Sequence, residues 1–100
     1  MPKALRKQAE WFRLFLDSYL VDMYFPTEVE TEMSRIKVSR PEVVGVVHGC
    51  NITAYDQSAG VTHLTLEDDN YDDERLRVSI EVENSVLTIQ VVWVERADGD

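Results

Sequence analysis

The chain has one cysteine, Cys50, so no internal disulfide can form. That scarcity suits a reducing compartment, and a cytoplasmic location is the expectation. It has no run of about eighteen apolar residues, which excludes a membrane-spanning helix. It has no glycine-rich phosphate loop, no nucleophile elbow and no carboxylate pair at a fixed catalytic spacing. It is also poor in positive charge, in one half only. Residues 1–50 hold seven basic residues (Lys3, Arg6, Lys7, Arg13, Arg35, Lys37, Arg40) against seven acids. Residues 51–100 hold twelve acids against Arg75, Arg77 and Arg96, so the net charge of −9 belongs to that half. Such a surface repels nucleic-acid phosphates and attracts basic partners.

What is present is alternation. Leu76, Val78, Ile80 and Val82 interleave with Arg75, Arg77, Ser79, Glu81 and Glu83. After an Asn84-Ser85 link, Leu87, Ile89, Val91 and Trp93 continue the apolar face, with Val86, Val92 and Val94 opposite. A period of two over both runs predicts an antiparallel hairpin, its second strand the more buried.

The first half reads as helices. Leu5, Ala9, Phe12, Phe15, Leu16, Tyr19, Leu20 and Met23 recur at helical spacing and predict a helix over 3–24. Its basic start is followed by an apolar stretch broken by Arg13, Asp17 and Asp22, which describes an amphipathic helix and not a signal peptide. It should end before Pro26, because the residue preceding a proline is pushed out of the α region. A second helix over 27–35 has Thr27 as its expected cap and Val29, Met33 and Ile36 as its apolar side. Ser39-Arg40-Pro41-Glu42 spells a capping box for a third helix over 40–48, with Gly49 the expected left-handed residue at its end. Strands are expected over 51–55, 60–66, 74–83 and 86–95. Between the second and third lies Glu67–Glu74, EDDNYDDE, which reads as a solvated acidic loop. The 100 residues therefore form one α+β domain, two or three N-terminal helices packed on a four-stranded antiparallel sheet.

Met33-Ser34-Arg35-Ile36-Lys37-Val38-Ser39, then Pro41-Glu42-Val43-Val44-Gly45-Val46-Val47-His48-Gly49 and Asn51-Ile52, resemble an uncharacterised bacterial family of the RelE/ParE-like toxin superfold, near the BrnT-type toxins. The segments His63-Leu64-Thr65-Leu66 and Leu76-Arg77-Val78 resemble its strands, so the similarity spans residues 27–95. The resemblance implies a small component of a toxin–antitoxin pair, often an mRNA-cleaving enzyme held by its antitoxin. Toxins of this superfold carry basic residues on the last strands, and here only Arg75, Arg77 and Arg96 could serve.

His63, Arg75, Arg77 and Glu81, with Tyr71, contain the residue types for phosphodiester cleavage: arginine for charge, histidine or glutamate for proton transfer. The competing reading of the same residues is cross-strand ion pairing, such as Arg77 with an acid on a neighbouring strand. His48, Cys50 and His63 are the soft metal ligands, but their spacing is not that of a structural zinc site, and EDDNYDDE lacks the calcium-loop pattern. No metal or cofactor is expected. Glu67, Asp68, Asp69, Asp72, Asp73 and Glu74 are the expected docking patch for a protein partner with a basic surface. A sheet edge would also let two copies pair. Three functions follow: a toxin-like domain that binds a protein, a metal-independent ribonuclease, or an acidic nucleic-acid mimic from a mobile element.

Overall fold

The computed structural model describes residues 3–18, 22–69, 74–83 and 88–97. In chain order its elements are α1 (Lys3–Ser18), β1 (Asp22–Tyr24), α2 (Thr27–Arg35), α3 (Arg40–His48), β2 (Ile52–Ser58), β3 (Val61–Asp69), β4 (Arg75–Glu83) and β5 (Thr88–Arg96). The strands form one sheet of order β1-β5-β4-β3-β2. Consecutive strands from β2 to β5 are antiparallel, and β1 adds a parallel edge against β5 with Met23 opposite Ile89. The α+β class holds, but the sheet is five-stranded and mixed.

The extra strand comes from the expected first helix. That helix is described over Lys3–Ser18, and Asp22–Tyr24 is extended, with residues 19–21 outside the described residues. Pro26 favours extended backbone just ahead of it, and pairing with β5 satisfies backbone groups that a longer helix would have satisfied internally. Met23 then faces the core while Tyr24 turns outward.

All three helices lie on one side of the sheet: α1 against β2, α3 over β3 and β4, and α2 beside β5. The core fills the space between the layers. Phe12 of α1, Val43 and Val47 of α3, Leu66, Leu76, Val78, Val82, Ile89 and Val91 are fully buried. Helix α3 begins as the capping box requires, since the Glu42 carboxylate accepts from the Ser39 backbone N–H at 3.1 Å and from its hydroxyl at 2.9 Å. For α2 the cap position belongs to Pro26 and not to Thr27, which is already helical and makes no capping bond. At the end of α3, Gly49 stays right-handed (φ −68°) and Cys50 takes the left-handed turn (φ 55°). Gly49 is needed for closeness instead: a Cβ there would stand 2.5 Å from Asp68 Oδ2.

Two bulges set the faces of the sheet. On β5, Ile80 pairs with Val91 and Ser79 with Trp93, so Val92 is an extra residue. One inserted residue reverses the alternation beyond it. Ile89 and Val91 point into the core, and after the bulge Val94 does so in place of Trp93. Trp93 is thereby 41% exposed on the opposite face, a correction to its expected place in the core. On β2, Thr53 is the extra residue between Ile52 and Ala54. The β2–β3 hairpin closes through Ala59 (φ 52°) and Gly60 (φ 81°), the two-residue turn with both angles positive that matches strand twist. Both strands therefore run past their expected limits. The 84–85 link, Val86 and Leu87 lie outside the described residues.

Candidate functional site

Among the described residues nothing covers the face of the sheet away from the helices, the open face. The ladder places its residues in rows that cross the strands. One row is Ala54, Thr65, Ser79 and Trp93; the next is Asp56, His63, Glu81, Gln90 and Tyr24. On the other side of the Ser79 row stand Glu67, Arg77 and Glu95, then Asp69 and Arg75. All four catalytic candidates, His63, Arg75, Arg77 and Glu81, thus share this face. They do not share one centre. His63 pairs with Glu81 (Nδ1 to Oε1 3.5 Å), while Arg77 pairs with Glu67 four positions along the strand, about 13 Å away by strand rise. A proton-transfer group and a charge-stabilising group must both reach one reacting atom within about 3 Å. Tyr71 is outside the described residues.

The arginines are engaged by acids. Arg77 Nε donates to Glu67 Oε2 and its Nη1 to Glu95 Oε1, both at 3.3 Å. Arg75 Nε donates to Glu67 Oε1 at 3.4 Å, and Nη1 lies 3.6 Å from Asp69 Oδ1. Desolvation pushes the Glu67 carboxyl upward, but hydrogen bonds and attraction from Arg77 and Arg75 outweigh it and hold the pKa below the ordinary carboxylate value. Arg96, on the helix side, pairs with Glu74 and donates Nη2 to the Ile36 carbonyl at 2.7 Å, tying β5 to the end of α2. Each basic residue of the strand half therefore has an acidic partner. The helical basic residues do not join them, because the helices pack on the other face; Arg35 pairs with Glu32, and Arg40 pairs with Glu30 and lies over the Phe25 ring.

These pairings change the reading of the acidic run. Glu67, Asp68 and Asp69 belong to β3 and not to a loop, since Arg77 and Arg75 stand opposite Glu67 and Asp69 and offset their charge in the ladder. Asp68 points to the helix side beside Gly49, and Asp72 and Asp73 are outside the described residues. Carboxylates without a described lysine or arginine partner lie elsewhere on the face. No described lysine or arginine pairs with Asp56, Glu81 or Glu83. Composition identified the charge excess, but only strand register separates the compensated acids from these.

Beside them sits exposed apolar surface: Val92 at 40% and Trp93 at 41% exposure from the bulge, and Tyr24 from β1. A shallow cavity of about 160 Å³ opens here, lined by Ala54, Asp56, His63, Thr65, Ser79 and Val92 among others. A second depression of about 330 Å³, between α1 and the β2–β3 hairpin, is lined by Gln8, Trp11, Tyr55, Gln57 and Thr62, none of them charged. Among the described residues no three side chains could hold a metal ion together. His63 stands on the open face, whereas Cys50 is buried in the core beneath the helices. No described helix is long and apolar enough to cross a membrane. No family model, curated protein or solved structure matches this chain.

Proposed function

We propose that this domain works by binding a protein partner across the open face of its sheet, as one component of a two-protein pair of the toxin–antitoxin kind. The observation that carries the reading is the division of charge on that face. Among the described residues Asp56, Glu81 and Glu83 have no lysine or arginine partner and adjoin exposed Val92, Trp93 and Tyr24, whereas Arg75 and Arg77 are held by Glu67, Asp69 and Glu95. Exposed aromatic and aliphatic residues bordered by charge are the usual makings of a recognition surface. The partner on this reading is basic. Membership of a toxin–antitoxin pair rests on the resemblance of residues 27–95 alone.

Ribonuclease action is the weaker reading, because gripping phosphate requires arginines and lysines free to displace counterions. A nucleic-acid mimic would use the same acidic face, and its partner would be a nucleic-acid-binding protein that releases the domain when DNA is added.

The test is capture from native extract by three immobilised proteins: the parent, Trp93→Ser/Val92→Ser, and Leu14→Ser, which alters an exposed leucine on α1. A protein retained by the parent and by Leu14→Ser, and lost by the double variant, supports the open face as the interface. A protein retained equally by all three overturns it.

A further inference from the structure

We propose that the cavity at the Ser79 row is an anchor site for one arginine side chain of a basic partner segment. This deepens the reading that the open face binds a protein. The floor is built from small side chains, Ala54, Thr65 and Ser79, in one row across β2, β3 and β4. Each neighbouring row along these strands carries larger charged residues, so the row forms a trough open at the β2 edge. Val92 lines the cavity, and Trp93 pairs with Ser79 at the far end of the row. The volume of about 160 Å³ is close to that of the roughly 150 Å³ cavity that takes one benzene, enough for one planar group and part of its stem.

Charge decides the occupant. In the adjoining row Asp56 and Glu81 flank His63, and these carboxylates have no described lysine or arginine of their own. A guanidinium entering the trough brings planar donors to Glu81 and Asp56, lays its methylenes against Val92, and approaches the indole of Trp93. Lysine supplies a point charge without the planar fork, so arginine fits better. A second copy of this chain does not fit. Among the described residues the face carries Asp22, Asp56, Glu67, Asp69, Glu81, Glu83 and Glu95 against Arg75 and Arg77 alone, so two such faces repel.

The site can be tested by titrating nitrogen-15-labelled protein with a blocked synthetic peptide of alanine and arginine, and with the same peptide carrying citrulline in place of arginine. The expected result is shift changes at the Thr65 and Ser79 amides and the Trp93 indole with the arginine peptide, and none with citrulline. Glu81→Gln should weaken the interaction by about tenfold, the scale of one charge-assisted hydrogen bond. Ser79→Leu should abolish it by filling the trough without changing charge, and Thr65→Leu serves the same purpose if Ser79→Leu is not folded. Equal response to both peptides, shifts confined to Glu67–Asp69, or indifference to Glu81→Gln and to trough filling would each overturn the anchor. A captured protein that depends on Trp93 but ignores Glu81→Gln and Ser79→Leu would leave the open face as an interface and remove arginine as its ligand.

Discussion

The two faces of β4 carry opposite chemistry. Toward the helices Leu76, Val78, Ile80 and Val82 are at most 1% exposed, while Arg75, Arg77, Ser79 and Glu81 alternate with them on a face that no described element covers. The covered face is constrained by packing, because close-packed side chains leave little room for substitution. The open face is constrained only by charge, and unevenly. Around Glu67 the acids and arginines compensate one another, while no described lysine or arginine does so for Asp56, Glu81 and Glu83. Stability therefore resides in one face, and the proposed recognition is assigned to part of the other.

The sharpest contrast is between the faces. Ile80→Ala should cost about 2–5 kcal/mol, the loss of a fully buried branched side chain with a residual cavity. Ser79→Ala, its neighbour on the open face, should change stability by less than about 0.5 kcal/mol. Denaturant midpoints compare the two, and similar losses would break the distinction.

The ion-paired end of the open face should appear in acid. The Glu67 pKa is lowered in the folded state, so the unfolded chain binds more protons as pH falls. The associated stabilisation is fully present above the ordinary carboxylate pKa and disappears as pH falls from there through the lowered folded value. Glu67→Gln should flatten that part of a stability–pH profile. An identical profile for both proteins would mean that the Arg75–Glu67–Arg77 pairing contributes nothing.

Trp93 tests the bulge. On the open face, Trp93→Ser should cost less than about 1 kcal/mol, whereas a core tryptophan would cost about 3–5 kcal/mol. A smaller gain is expected at the β2–β3 turn: Ala59→Asn, better suited to a positive φ, should raise stability by about 0.5 kcal/mol. A lowered melting temperature would mean that this turn has another geometry.

Much of the covered face was readable because its signals are local and periodic. Alternation over 76–82 and the Ser39/Glu42 pair each lead to a contact present in the fold. What escaped was non-local. Strand β1 is three residues long, too short to show a period, and exists through its pairing with β5. The bulge at Val92 has no glycine to mark it, so strict alternation carried Trp93 to the wrong face. The acidic run looked like a loop by composition, because the arginines that offset Glu67 and Asp69 arrive from the next strand. Ion pairing of Arg77 with a neighbouring acid was a readable alternative, but its partners follow from register. The cavity at Ser79 leaves no sequence signature beyond small residues on three strands.

The most direct measurement of the central claim sets RNA against the open face. A short RNA is mixed with the parent and with an Arg75→Ala/Arg77→Ala variant at low and moderate salt, and binding and cleavage are both followed. The arginines are already held by Glu67, Asp69 and Glu95, so neither protein should bind measurably or cleave at physiological salt. Cleavage by the parent that the double variant loses would contradict the account and make this face a catalytic one.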